Sequence, residues 1–152
     1  MLTFAPAKIS DADALLIQGA READWRESLK ANGGSFGAAL RFSVAASALA
    51  VAVHFEGRII ALFGVGEGTR GHGMVWLVAT DEAETPALAV PLARASRHFV
   101  ECWQRHFKRL HNVVDPEHVA SMRWLTWLGF VIDRENPVRG PLGHELYRFW
   151  RE

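Results

Sequence analysis

The sequence predicts an α/β domain of the α+β type, with a mixed, mostly antiparallel sheet of six to seven strands flanked by helices. Three observations support this class. Residues 48–65 alternate as a β-hairpin, residues 91–110 have the spacing of a long amphipathic helix, and residues 115–130 resemble a capped helix that leads into a strand. A helix between two strands of an otherwise antiparallel chain implies one right-handed crossover, and therefore a mixed sheet.

The N-terminal third is predicted to be mostly helical after one short strand at residues 2–9. Ser10, followed by Asp11 and Asp13, marks the start of a helix that extends to about residue 31, with a candidate break near Arg21. Residues 32–35 are rich in glycine and predict a loop before another short helix.

The middle of the chain predicts three consecutive strands. In residues 48–56 every second residue is large and apolar, and Gly57 turns the chain into a partner strand at residues 58–65. Residues 74–80 are nearly all apolar, which is typical of a central strand covered on both faces. The segment Gly66–Gly71 matches G-x-G-x-x-G, but a strand follows it where a dinucleotide site needs a helix, so it predicts a hairpin loop.

The last third begins with the amphipathic helix at residues 91–110 and continues with a short strand at residues 111–114. Asp115 is predicted to cap the next helix, Pro116 to occupy its first position, and Gly129 to end it in the left-handed region. Its apolar stripe consists of Val119, Met122, Leu125 and Leu128. A strand at 130–133, a Pro/Gly loop at 136–143 and a strand at 145–150 complete the chain.

Composition narrows the classes of function. The 152 residues are expected to form one domain, 1–152, and 49% hydrophobic residues argue against disorder. Seventeen basic and seventeen acidic residues balance, which argues against binding to nucleic acid through overall charge. No membrane span or signal peptide is predicted, and the single cysteine suits a reducing compartment. Seven histidines show no ligand spacing, so no metal site is predicted.

The order of elements and the WLGF ending of the capped helix resemble the GNAT (Gcn5-related N-acetyltransferase) fold. The late helix of that family carries the pattern N-x-x-A-x-x-L-Y-x-x-x-G-F, whose Gly-Phe matches Gly129 and Phe130. Here His118 stands at the Asn position and Leu125 at the Tyr position. Because leucine cannot donate a proton, the family's usual general acid is missing.

A narrower resemblance concerns the segments VWLVATDE, NVVD, SMRWLTWLGF and ELYRFW. They look like segments of small GNAT-like internal virion or core proteins of short-tailed bacteriophages. This resemblance implies virion proteins as partners, and the bacterial host cytoplasm or the phage virion as the location.

The GNAT resemblance also implies where acetyl-CoA would bind. The third hairpin strand would lend backbone groups of Leu77, Val78 and Ala79 to pantetheine, and the long helix would receive the pyrophosphate near Arg94, Ser96 and Arg97. The preceding loop departs from the family, because residues 80–86 contain three carboxylates and no glycine. The competing interpretation, favoured by residue type alone, is that the two arginines belong to a solvated basic face of a surface helix.

Three side chains are candidate proton acceptors or donors. Glu67 and Asp81 each follow a sheet strand, and His118, near the start of the capped helix, carries an imidazole, a type of side chain that can move a proton near neutral pH. The competing interpretation is that His118 is an ordinary polar boundary residue.

Three hypotheses follow. The first is a GNAT-fold phage protein with a degenerate acetyl-CoA site that acts as a virion-associated or assembly protein. The second is an active acetyl-CoA-dependent N-acetyltransferase that acts on a primary amine by direct attack. The third is a module that uses the cleft for another small ligand.

Overall fold

The computed structural model describes residues 1–152 and contains seven strands and five α-helices. In chain order these are β1 Leu2–Pro6, α1 Ile9–Gln18, α2 Glu22–Asn32, α3 Phe36–Ala46, β2 Ser47–Phe55, β3 Arg58–Glu67, β4 His72–Ala79, α4 Pro86–Gln104, β5 Arg109–Val114, α5 Val119–Trp127, β6 Val131–Arg139 and β7 Glu145–Arg151. Two short 3-10 turns, Thr69–Gly71 and Asp81–Glu84, bracket β4.

All seven strands form one sheet in the order β1-β2-β3-β4-β5-β7-β6. Every pairing is antiparallel except that of β4 with β5, which are connected through α4. The predicted mixed sheet with one crossover is therefore confirmed. The parallel pair is short: it runs from His72 opposite Arg109 to Met74 opposite His111, and no further pairs follow.

Two hydrophobic cores cover the two faces of the sheet. The larger core packs α4 and α5 on one face, and the smaller core packs α1 and α3 on the other. Along β3 the side chains alternate between them, with Phe63 in the larger core and Leu62 in the smaller. Helix α2 contributes no hydrophobic residue to either core, and its one buried residue is Asp24.

The predicted helix at residues 11–31 is in fact two helices. Gly19 ends α1 with φ of 106°, a value that L side chains rarely adopt, and α2 begins at Glu22. The candidate break near Arg21 is thus confirmed. The predicted strand at residues 2–9 ends earlier, at Pro6.

The long helix α4 begins five residues earlier than predicted and ends six residues earlier. Pro86 occupies its first turn, where a missing N–H costs nothing, and Pro91 lies inside the helix on its exposed side. Leu110, predicted to end the helix, belongs to β5. None of the five helices combines the length and the apolar character that crossing a membrane requires.

The predicted cap of α5 is wrong. Asp115 uses Oδ1 to accept from the N–H of Glu117 in a tight turn, and the helix begins only at Val119. His118 is the N-cap, because its Nδ1 accepts from the N–H of Ser121 at 3.3 Å. The C-terminal part of the prediction is confirmed, since Gly129 follows the helix with φ of 92°.

Two strand predictions also change. The expected loop at residues 136–143 is shorter, because β6 continues to Arg139 beyond an irregularity between Asp133 and Val138. Strand β4 is covered less than predicted, and Met74 is exposed, because a cleft opens beside this strand. Of the glycine-rich segment at 66–71, residues 68–71 form the β3–β4 hairpin connection, as predicted, whereas Gly66 and Glu67 belong to the end of β3.

Candidate functional site

The cleft of this protein lies where β4 and β5 stop pairing. Beyond Met74 and His111 the two strands diverge, and a cavity of about 700 Å³ lies between them and extends to α2 and α3. Twenty-two of its 35 lining residues are hydrophobic, so the cavity is mainly apolar. Asn112 closes its narrow end, since Nδ2 donates to the carbonyl oxygen of Val75 at 2.8 Å. Cavities of this size accept small organic ligands.

The free edge of β4 supplies few backbone groups to this cavity. In an antiparallel ladder, alternate residues direct both backbone groups away from the partner strand. Val75, Leu77 and Ala79 face away from β3 in this way, as the hydrogen bonds of Val75 and Ala79 indicate. Ala79 is fully engaged: its N–H donates to Asp24 Oδ2 at 2.9 Å, and its carbonyl accepts from the N–H of Arg21 at 2.8 Å. Leu77 therefore carries the backbone pair that faces the cavity without an opposing strand.

Helix α2 closes one end of the cleft through an ionic cluster centred on Asp24. Arg21 donates to both carboxylate oxygens of Asp24 at 2.8 Å, and Nε2 of His118 lies 2.8 Å from Oδ1. Burial alone would raise the pKa of Asp24, but these bonds from His118 and Arg21 outweigh it and hold the pKa below its ordinary 3.8. Arg21 also donates to Glu84 at 3.1 Å. The cluster thus connects α2, the end of β4 and the start of α5.

Lys30 anchors the other end of α2. Its Nζ lies 3.0 Å from both carboxylate oxygens of Asp115 and 3.4 Å from Glu117. The carboxylate of Asp115 is nearly buried, with 4% of its side chain exposed, so this pair compensates a charge that burial would otherwise disfavour.

Glu27 lies between these two anchors and lines the cavity. Its Oε2 accepts from the N–H of Asp115 at 2.9 Å, and no basic side chain bonds to it. Burial, reinforced by the charges of Asp24 and Asp115, raises the pKa of Glu27 from 4.5 to about 7, against the opposing effects of the Asp115 N–H and His118. A carboxyl group with this pKa exchanges its proton near neutral pH, which is a property of catalytic and ligand-binding groups.

The structure does not bring the three predicted catalytic residues together. Glu67 ends β3 and lines the cavity as an exposed side chain. Asp81 lies in the exposed turn after β4, and neither it nor His118 lines the cavity. Both ring nitrogens of His118 are engaged. Because Nδ1 accepts from Ser121, the hydrogen lies on Nε2 and is donated to Asp24.

The predicted cofactor-binding side chains of α4 have other partners. Ser96 is 1% exposed, and its hydroxyl donates to the carbonyl of Leu92. Arg97 stacks on Trp127 with 3.7 Å between the guanidinium carbon and the ring centroid, and also donates to the Trp127 carbonyl. Arg94 is exposed and makes no ion pair, but α4 begins at Pro86, so Arg94 lies about 12 Å along the helix from its start. Val78 directs its backbone groups toward β3.

Sequence reasoning missed the groups on α2. Arg21, Asp24, Glu27 and Lys30 recur every three residues, so each lies next to the following one in a row that winds around the helix. Because Trp25 and Leu29 are the only large apolar residues of this segment, such a row of charges indicates a helix that packs through ion pairs and not through an apolar face. That spacing was the available signal.

Solved structures with similar folds cover nearly the whole chain. An acetyltransferase of the GNAT family from Streptococcus pneumoniae is 14% identical with a TM-score of 0.66, covering 99% of this chain and 98% of its own. YncA from Salmonella typhimurium, solved with its cofactor acetyl-CoA, is 16% identical with a TM-score of 0.69, covering 99% of this chain and 93% of its own. A ribosomal-protein-alanine N-acetyltransferase from Brucella melitensis is 15% identical with a TM-score of 0.67, covering 98% of each chain.

These similarities establish that the chain has the GNAT fold. No protein-family model matches the sequence, and no curated protein matches it.

Proposed function

We propose that this protein retains the GNAT fold without a working acetyl-CoA site, and that it serves as a virion-associated or assembly protein of a short-tailed bacteriophage. The observation that carries the first part is the engagement of Ala79. The strand expected to lend backbone groups to pantetheine has both groups of Ala79 bonded to Asp24 and Arg21 of the α2 region. A ligand would have to displace a buried, bidentate ion pair to reach them.

The turn before α4 is also unsuited to a diphosphate. It carries Asp81, Glu82 and Glu84, and Pro86 lacks an N–H at the start of the helix. Glu82 pairs with Arg58 and Glu84 with Arg21, so the nearby cations are already paired. The family's diphosphate site needs backbone that an anion can approach closely and a positive potential. This turn has no glycine and carries three carboxylates, so the group does not fit here.

The tyrosine that donates the proton in the family is missing, and no other tyrosine lines this cleft. Leu125, at the position of the family's tyrosine, is 4% exposed in the larger core. The role in virions is supported by the narrower sequence resemblance alone, and it is consistent with a domain kept for its shape.

A second candidate function is an active N-acetyltransferase, and two observations favour it. Leu77 presents free backbone groups at the position expected for pantetheine, and Glu27 has a pKa of about 7 in the cavity wall. In this alternative Glu27 takes the proton of the attacking amine, a role that the sequence had assigned to Glu67, Asp81 or His118.

Calorimetric titration with acetyl-CoA separates the two candidates. We expect no binding up to millimolar acetyl-CoA, with an active GNAT enzyme in the same buffer as the positive control. Micromolar binding of acetyl-CoA would overturn the degenerate site, whether or not it weakens in the Arg94→Ala variant.

The assembly role requires a separate measurement. Mass spectrometry of purified virions and of capsid assembly intermediates should detect this chain in at least one of them. Its absence from both, in cells that express it, would contradict the role.

A further inference from the structure

The charges that line the cavity all have the same sign. Asp24, Glu27 and Glu67 line it, and no lysine, arginine or histidine does. The chain as a whole is electrically balanced, so this local excess arises from how the fold arranges the charges. An anionic ligand would meet repulsion there, and a cationic one attraction.

Glu27 and Glu67 are the cavity carboxylates without a cationic partner, and of these two only Glu27 is partly buried. Arg21 and His118 compensate Asp24, and Glu67 is exposed to solvent. Oε2 of Glu27 is held by the Asp115 N–H, while Oε1 accepts no hydrogen bond. Because no fully buried side-chain oxygen lacks a partner, Oε1 must be accessible, and the cavity that Glu27 lines provides that access.

The walls of the cavity that Glu27 lines are aromatic as well as aliphatic. Phe36, Phe42, Trp76 and Trp124 line the same cavity, and Phe42 is 72% exposed. Aromatic faces attract cations through their quadrupole, and most strongly where water is excluded. An apolar body would bury surface against these walls while its positive charge approaches Glu27.

We infer that the cavity binds a small hydrophobic ligand that carries a positively charged nitrogen, with the Glu27 carboxylate as its counter-ion. This inference rests on the proposed function to the extent that acetyl-CoA does not occupy the cavity. Binding of such a ligand involves no chemical reaction. The ligand class includes quaternary ammonium compounds, which no transferase can acylate.

The test compares four probes with the same phenylbutyl body: 4-phenylbutyltrimethylammonium, 4-phenylbutylammonium, 4-phenylbutanol and 4-phenylbutyrate. Calorimetric titrations at pH 8 should show that both cations bind about tenfold tighter than the alcohol. The carboxylate probe should bind most weakly. Equal affinity for cations and alcohol, preference for the anion, or no binding of any probe would overturn the inference.

Variants identify the counter-ion. Glu27→Gln keeps the size of the side chain and should remove the tenfold preference while leaving the affinity for the alcohol unchanged. Glu101→Gln, on the exposed side of α4 and outside the cavity, is the matched control and should leave the preference intact. Far-UV circular dichroism verifies that both variants fold. A preference that survives in Glu27→Gln would contradict the assignment.

The pH dependence provides an independent measurement. Since the pKa of Glu27 is about 7, the affinity of the trimethylammonium probe should rise between pH 6 and pH 8, whereas that of the alcohol should not. Acetyl-CoA titrated in the same cell separates the two proposals. Its binding would overturn the proposed function even where the cations bind, and failure of the probes without acetyl-CoA binding would overturn this inference alone.

Discussion

His118 and Asp24 are 94 residues apart in the chain, yet His118 Nε2 lies 2.8 Å from Asp24 Oδ1 and each side chain exposes only 2% of its surface. The contact joins the start of α5 to α2 across the end of β4. With Arg21 on the same carboxylate, it replaces the hydrophobic packing that α2 lacks. Helices α2 and α5, which both border the cleft, are therefore held to each other by charge and hydrogen bonds.

Removing the carboxylate of Asp24 should strongly destabilise the fold. Asp24→Ala leaves Arg21 buried without its partner, so we expect the free energy of unfolding to fall by about 3–5 kcal/mol. Urea denaturation at pH 7 measures the change. Asp13→Ala removes an exposed pair with Arg41 and should cost less than about 1 kcal/mol. Equal effects of the two variants would show that the buried cluster does not stabilise the protein.

The pH dependence of stability should reveal Glu27. Because its pKa is raised from 4.5 to about 7, the folded state binds more protons than the unfolded state between these values, so stability falls as pH rises. The loss is at most about 3 kcal/mol, and Glu27→Gln should abolish most of it. Urea denaturation of the wild-type protein and of the Glu27→Gln variant, from pH 5 to pH 8, measures this loss. The pKa of Asp24 is lowered, so its contribution to the free energy of unfolding is lost as the pH falls. That loss occurs only below its ordinary pKa of 3.8, outside the range from pH 5 to pH 8. A wild-type profile as flat as that of the variant contradicts the raised pKa.

Arg97 should contribute to stability in a way that Arg94 does not. Arg97→Ala removes the stacking on Trp127 and should lower the free energy of unfolding by about 1 kcal/mol. Arg94→Ala removes an exposed side chain without an ion pair and should change it by less than about 0.5 kcal/mol. Chemical denaturation measures the free energy of unfolding of both variants. Equal changes would show that the stacking of Arg97 on Trp127 does not stabilise the protein.

Gly140 permits α2 to pack against the β6–β7 connection. A Cβ at this position would lie 1.9 Å from the carbonyl oxygen of Lys30, so backbone must move to accept Gly140→Ala. We expect a loss of about 3 kcal/mol or more, from overpacking. Gly143→Ala is the control. It meets nothing within 4 Å and suffers only the strain of its φ of 90°, about 1–2 kcal/mol. Thermal unfolding compares the two, and similar melting temperatures would argue against the close approach.

The order of strands and helices could be predicted from the sequence because each element carries its own periodicity. The alternation in residues 48–65 and the spacing in residues 91–110 are local signals, and both recur in the structure as β2, β3 and α4. The errors occur at boundaries. The cap of α5 was misassigned because Asp115 and Pro116 have the residue types of a helix start. In the structure, Lys30 from a distant helix binds the Asp115 carboxylate, and His118 is the N-cap.

By itself, the sequence determined the fold class, the single crossover and the absence of a glycine-rich diphosphate turn, since these depend on residue type and local spacing. The tertiary structure decided which charges are free. His118 was one of three predicted proton carriers, but the fold buries it against Asp24. The fold leaves Glu27 as a partly buried cavity carboxylate without a basic partner. Electrostatic pairing depends on distance in space and on burial, and the partners here lie 85 to 94 residues apart in the chain.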